Sequence, residues 1–156
     1  MEELTEGDPE LFVVENALRK ARAGVELVGA GRPVLGVDTD VVLDGRALGK
    51  PMDPAGAGAR LQALSGRTHE VLGGMALVAD GRESTELVQT FVTFRSLAAA
   101  DVDCYVASGE WRDRAGGYAV QGLGSSLVAR IDGDLSNVIG LPIAPLCRMI
   151  ARLQDD

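Results

Sequence analysis

Histidine is almost absent from this chain: His69 is the only imidazole in 156 residues. That excludes a histidine-built zinc site. A Ser-His-Asp triad would have to use this one ring, and no serine stands in a nucleophile-elbow context to serve it. Cysteine is nearly as scarce. Cys104 and Cys147 are far apart with no CxxC, which excludes a disulfide scaffold and reads more plainly as two buried thiols in a reducing compartment. No apolar run approaches the length of a membrane span. Met1-Glu2-Glu3-Leu4 is acidic where a signal peptide would be basic and then apolar, so a soluble cytoplasmic protein is expected. Positive charge is in deficit, with 15 Lys and Arg against 23 Asp and Glu, a net charge of −8. Phosphate affinity comes from a cationic face, so a dedicated nucleic-acid surface is not expected. Small phosphorylated substrates remain compatible, because a few cations in a cleft suffice. No GxxxxGK[ST] occurs, which excludes a Walker A loop.

What is present fits one ordinary domain over residues 1–156. Apolar residues make up 46% of the chain, enough for a sizeable core. Glycine is abundant at 20 residues, as many turns, or backbone held close to a ligand, would require.

Asp8-Pro9 pairs a helix cap with a first-turn proline. Leu11, Val14, Leu18, Ala21 and Val25 follow at helical spacing, and Gly29-Ala30-Gly31 should end the helix. Pro33 to Asp38 reads as a short buried strand, extended through Val41-Val42-Leu43 to a hairpin turn at Asp44-Gly45. Asp53-Pro54 repeats the cap signature for a second helix through Ala57, Leu61 and Leu64. Thr68 to Ala79 and Glu83 to Phe94 read as two long strands joined at Asp80-Gly81. Ser96 is the expected cap of a third helix from Leu97 to Ala107. Glu110 to Gly124 is a loop rich in glycine and charge, Ser126 to Asp132 a strand, and Pro142 opens a closing helix with Leu146, Met149, Ile150 and Leu153 on one face. Helices and strands alternate with hairpins between them, which predicts an α/β domain with a mixed sheet.

Three segments place polar groups where packing alone has no use for them. Asp38, in Gly36-Val37-Asp38-Thr39-Asp40, ends the expected strand. In open α/β sheets strand C-termini line the ligand crevice. A carboxylate there binds a divalent cation or takes a proton from water, or else only caps the strand. Lys50, between Gly49 and Pro51, is either a phosphate contact on a stiff turn or a solvated surface lysine. Gly116-Gly117-Tyr118 with Gln121-Gly122-Leu123-Gly124 lets backbone N–H groups approach a ligand, and Gln121 offers both a donor and an acceptor to the edge of a base. The alternative is a pair of turns around a buried tyrosine. His69, early in a strand, reads as a structural or exposed residue before a catalyst. Trp111 either packs or stacks on a base. Arg19, Lys20 and Arg22 form a helix cluster read as a solvated face or, through a lysine, as a phosphate contact.

Taken in order, VLGVDTDVVLDGRALGKP, LSGRTHEV, FVTF, YVASGEWRDRAGGYAVQGLGSSLV and NVIGLP resemble the Maf family of nucleotide pyrophosphatases, within the inosine triphosphatase superfamily. The similarity runs from the first helix to the last. It implies a twisted mixed sheet with helices around a deep cleft, and in most members a homodimer. It implies hydrolysis of nucleoside triphosphates between the α and β phosphates, with a divalent cation such as Mg²⁺ or Mn²⁺. It also implies the clearing of non-canonical or modified nucleotides, and an association with septum formation. Asp38 matches that family's catalytic aspartate, which implies a role as proton acceptor. Thr39 and Gln121 (in GYAVQG) match the branch that prefers dTTP and UTP over 7-methyl-GTP. Lys50 matches the lysine of the GKP motif and Lys20 that of the KAR motif, and both suit phosphate binding.

The chain also departs from that family. Its S-x-S-P-R-R loop has no counterpart, since no Ser-Pro occurs here, and Glu2 and Glu3 stand where the family has an acidic pair before the KAR helix. The resemblance therefore implies an N-terminally shortened domain without the first strand and helix, carrying fewer phosphate-binding arginines. A catalytically weak homologue that binds nucleotides or regulates cell division is the rival expectation. Asp40 replaces a usual Val or Ile. Facing solvent it would matter little; facing the cleft it would add a metal ligand or repel the triphosphate. Arg114 stands where lysine is common, and the charge is kept.

Overall fold

Asp8 accepts a hydrogen bond from Glu10 N at 3.0 Å and Pro9 fills the first helical position, opening helix α1 over Pro9–Val28. Asp53 does the same for Gly56 N at 2.6 Å at the head of α2, Pro54–Leu64. The computed structural model describes residues 7–29 and 31–155. Met1 to Leu4, and Ala30 in the expected helix stop, lie outside the described residues.

The remaining elements are β1 (Val34–Leu43), β2 (Arg46–Ala47), β3 (Thr68–Ala79), β4 (Arg82–Phe94), α3 (Ala99–Ser108), β5 (Val128–Asp132), α4 (Leu135–Ile139) and α5 (Ile143–Asp155). Two 3₁₀ turns, Ala115–Gly117 and Gly122–Leu127, lie in the glycine-rich stretch expected to be a loop, the second running on through Ser126 and Leu127, the expected start of the next strand. The strand order is β2-β1-β3-β4-β5. Every pairing among the described strands is antiparallel, so the α/β class and the flanking helices stand while the expected mixed pairing does not. Hairpins at Asp44-Gly45 and Asp80-Gly81 turn the chain back on itself, which makes direct antiparallel neighbours.

Strand β3 is buried on both faces from Val71 to Ala79, hence its near-continuous apolar run. Its even positions face α1, where Leu72, Ala76 and Val78 meet Val13, Ala17 and Ala21. Its odd positions face the other side, where Val71 joins a core built with α2, α3 and Phe94, while Met75 and Leu77 pack on Met149 of α5. Helix α1 lies very close to the sheet. A Cβ on Gly36 would stand 2.0 Å from Ala17 O and 2.6 Å from Ala21 N, so only glycine admits this approach.

Several expectations shift. The buried stripe of α1 is Val13, Asn16, Ala17 and Ala21, one position round from the expected one, and Leu11 is 69% exposed. Docking on a sheet through small residues, not maximal hydrophobicity, sets the rotation. Ser96 does not cap α3: the N-cap is Ala98, and Asp101 in the first turn accepts from Ala98 N at 2.8 Å. Cys104 and Cys147 are exposed free thiols on the outer faces of α3 and α5, not buried ones. Short helix α4 was not expected; Asp134 caps it by accepting from Ser136 N at 2.7 Å. No described helix is long and apolar enough to cross a membrane.

Candidate active site

Strand β2 pairs with β1 only at Val42 and Leu43, so no described strand covers the outer edge of β1 from Val34 to Val41. A cleft of about 530 Å³ opens along that edge. Asp38 is therefore at mid-strand and not at a strand end, and it meets the cleft through this uncovered edge.

Alternation along β1 divides the site. Asp38 and Asp40 share the α1 face with Gly36, and Thr39 shares the opposite face with Val37 and Val41. From α1, Lys20 Nζ donates to Asp38 Oδ1 at 2.5 Å and Asn16 Nδ2 donates to Oδ2 at 3.2 Å. The Asp38 side chain is 12% exposed and that of Lys20 34%, so the pair is sheltered yet open to a ligand. Asp40 Oδ1 accepts from Val41 N at 2.8 Å, and Asp40 lines the cleft. Asp40 thus borders the cleft, the second of its two expected placements.

The opposite wall is built by two turns locked together. Leu48 N donates to Val41 O at 2.8 Å, Gly116 N donates to Gly49 O at 2.9 Å, and Arg60 Nε of α2 donates to Leu48 O at 2.9 Å. Lys50, which follows Gly49 in this arrangement, lines the cleft, as does Arg114. Lys20 and Lys50 are the chain's two lysines, and both line it. Gln121 and Tyr118 line it from the glycine-rich segment. The Gln121 carboxamide is exposed at the mouth and makes no capping bond to its own turn. A third side, Val138 to Gly140, comes from α4. There Asn137 Nδ2 lies 3.0 Å from Val71 O, 3.1 Å from Thr90 Oγ1 and 3.2 Å from Val88 O, fixing the helix to the sheet.

Behind the cleft, His69 Nε2 shares a 2.7 Å hydrogen bond with the Tyr118 hydroxyl, and the two rings meet Phe94 edge-on. Burial lowers the His69 pKa from 6.5 to about 4, so the ring is neutral at pH 7 and structural. Burial, reinforced by neighbouring Tyr105, pushes the Tyr118 hydroxyl upward. Trp111 is buried and its indole N–H donates to Val106 O at 3.0 Å, so it packs and does not stack on a base. The basic cluster of α1 splits: Arg19 pairs with Glu15, Arg22 with Glu83, and Lys20 alone of the three reaches the cleft.

Asp38, Thr39, Lys20, Lys50 and Gln121 are thus brought together around one space. Sequence reading missed Asn16, Arg60 and Glu110. Asn16 left no signal in the hydrophobic spacing, because it lies off the expected apolar face and is buried only on the stripe that the structure uses.

No three His, Cys, Asp or Glu side chains converge among the described residues, so a cation held wholly by protein has no cage there. Asp38 and Asp40 do fit a hard dication held by one or two carboxylates together with substrate phosphates.

The fold and cleft define an α/β domain whose site sits on a sheet edge between a sheltered carboxylate and a glycine-rich wall. The family described as Maf-like protein matches residues 1–153, and the chain belongs to it. It is 45% identical over 152 residues to a dTTP/UTP pyrophosphatase of Shewanella denitrificans, covering 95% of this chain and 77% of that one. It is 48% identical over 141 residues to a dTTP/UTP pyrophosphatase of Salmonella typhimurium, covering 90% and 71%. It is 44% identical over 150 residues to a nucleoside triphosphate pyrophosphatase of Xylella fastidiosa, covering 94% and 79%.

Proposed function

We propose that this chain is a nucleoside triphosphate pyrophosphatase, a hydrolase acting on acid anhydrides, with dTTP and UTP as its preferred substrates. The observation that carries the reading is the Asp38 carboxylate, held by Lys20 and Asn16 on a cleft that Gln121 also lines. The triphosphate lies between the two lysines. The base lies against the wall of Thr39, Tyr118 and Gln121. The thymine or uracil edge offers an imide N–H between two carbonyls, and a carboxamide pairs with such an edge through its donor and its acceptor.

Water attacks the α-phosphorus as the bond to the bridging oxygen of the β-phosphate breaks. Pyrophosphate and the nucleoside monophosphate are the products. Asp38 orients this water and takes its proton. Lys20 moves from Asp38 toward the phosphates, which frees Oδ1 for the water, and with Lys50 it meets the negative charge of the phosphoryl groups. A divalent cation, Mg²⁺ or Mn²⁺, bound by the triphosphate with Asp38 or Asp40, would neutralise further charge.

The test is pyrophosphate release from dTTP, UTP and 7-methyl-GTP with Mg²⁺ or Mn²⁺, for the unaltered chain and Asp38→Asn. Loss of a general base lowers kcat by about 10²–10⁴-fold. An Asp38→Asn protein as fast as the unaltered one would remove Asp38 from the chemistry.

A further inference from the structure

Gln121 sits between two sets of side-chain anchors. Two residues before it, Ala119 N donates to the Tyr105 hydroxyl at 3.0 Å, beside the Tyr118–His69 bond. Two and three residues after it, Leu123 N donates to Glu110 Oε1 at 3.0 Å and Gly124 N to Glu110 Oε2 at 3.2 Å. Those two N–H groups belong to the first turn of the 3₁₀ segment Gly122–Leu127, whose i→i+3 pattern gives Leu123 N–H no partner inside the segment, and Glu110 adds a side-chain acceptor to Gly124 N–H. The residue placed to cap them is Gln121 itself, at the N-cap position, yet its side chain makes no capping bond. Glu110 supplies that cap from outside the segment.

Glu110 is itself fixed. It follows Gly109, the left-handed residue that ends α3, its N–H donates to Ser108 Oγ at 3.2 Å, and the next residue, Trp111, is buried. Its fit to the turn is tight: a Cβ on Gly122 would stand 2.7 Å from Glu110 Oε1. Glu110 is half-buried and does not line the cleft.

We propose that Glu110 is a positioning residue for base recognition. By capping the turn after Gln121 from outside the cleft, it leaves the Gln121 carboxamide free to face the nucleotide base. This role rests on the reading of Gln121 as the base-facing group. Without Glu110 the Leu123 and Gly124 N–H groups are uncapped, and the Gln121 side-chain oxygen becomes their nearest covalently placed acceptor. It turns back onto its own segment and leaves the base. The loss falls on the nucleotide that uses the carboxamide and not on the phosphates or Asp38.

The experiment compares Glu110→Ala and Glu110→Gln with the unaltered chain, using UTP and CTP. In Glu110→Ala the UTP KM rises about tenfold, as expected for a displaced binding group. The CTP KM changes far less, kcat stays within about threefold for both, and the preference for UTP collapses. Glu110→Gln, which keeps one acceptor oxygen, recovers part of the preference. Amide exchange at Leu123 and Gly124 quickens in the order unaltered, Gln, Ala. An equal loss on both nucleotides, or an unchanged preference in a folded Glu110→Ala protein, overturns the role. If the unaltered chain releases no pyrophosphate, the catalytic reading fails by itself. Calorimetric affinities for the α,β-methylene analogues of UTP and CTP then decide on Glu110 in the same way, and an unaltered chain that binds neither overturns the role with the reading.

Discussion

Lys20 donates to Asp38 across the packing of α1 on β1, so one contact belongs both to the docking of a helix and to the floor of the cleft. The pair is partly open to solvent, and such pairs add at most about 1 kcal/mol to stability. Its consequence lies in the site. Lys20→Met is expected to leave the melting temperature within a few degrees. It removes a charged donor from the phosphates and from Asp38, a loss of about 2 kcal/mol, or roughly 30-fold in kcat/KM. Steady-state kinetics on dTTP beside a thermal melt check both halves. A large fall in melting temperature with unchanged kcat/KM would reverse the assignment.

Gly36 precedes Asp38 by two residues on the same face, at one of the two glycines where α1 comes within 2.0 Å of a would-be Cβ. In Gly36→Ala the two nearest atoms the new methyl meets are backbone, 2.0 Å and 2.6 Å away, and these cannot step aside as a flexible side chain would. Overpacking of this kind costs about 3 kcal/mol, or a fall of roughly 6–12 °C in melting temperature for a domain of this size. The helix must lift, carrying Asn16 and Lys20 away from Asp38. Activity is expected to fall even well below the new melting point. Calorimetry together with activity at 20 °C reads this, and a protein that melts lower yet keeps full activity would separate the site from the helix docking.

Much of the fold was legible because it rests on local chemistry. Asp8-Pro9 and Asp53-Pro54 announce α1 and α2, and the Asp-Gly turns announce the hairpins that pair β1 with β2 and β3 with β4, while the β1–β3 pairing across α2 has no such local signal. The rotation of α1 was less legible. Hydrophobic spacing favours Leu11, but the sheet accepts a helix only through Ala17 and Ala21 over Gly36, a condition set by the strand and not by the helix. The site divides in the same manner. Asp38, Thr39, Lys20, Lys50 and Gln121 were legible through ordered motifs, and the structure brings them to one cleft. Asn16, Arg60 and Glu110 act through long-range hydrogen bonds to Asp38, Leu48 and the 123–124 backbone, and their partners have no fixed spacing in sequence.

Asp40 adds a second carboxylate to the cleft two residues from Asp38 on the same face. If it helps hold the cation that comes with the triphosphate, Asp40→Val should raise the Mg²⁺ concentration for half-maximal activity by about tenfold. That corresponds to the loss of one charged ligand contact of about 1.4 kcal/mol. Chelation should abolish activity in both proteins, and added Mg²⁺ should restore it. A titration unchanged by the substitution would show that Asp40 is no ligand. Tighter apparent substrate binding in Asp40→Val would identify it as a charge that repels the triphosphate.

His69 gives stability a dependence on mild acid. Its ring is neutral in the folded protein, with a pKa lowered by burial to about 4, while in the unfolded chain it titrates near 6.5. Between these values the unfolded chain binds the proton and the folded one does not. The stabilisation is therefore complete above about pH 6.5 and is lost as the pH falls toward 4. Between pH 7 and pH 5 this amounts to about 2 kcal/mol. The carboxyls of Asp44, Glu83 and Asp101 are all held below their ordinary values by arginine partners, so the stability they carry is lost only as the pH falls below those ordinary values, beyond the pH 7 to pH 5 step that reads His69. Unfolding free energies from urea melts at pH 7 and pH 5 should differ by this amount in the unaltered chain, with a matching shift of the midpoint. In His69→Gln the midpoints should converge, because the amide can still hydrogen-bond the Tyr118 hydroxyl but has no proton to take up. Equal separation in both proteins would place the acid sensitivity elsewhere.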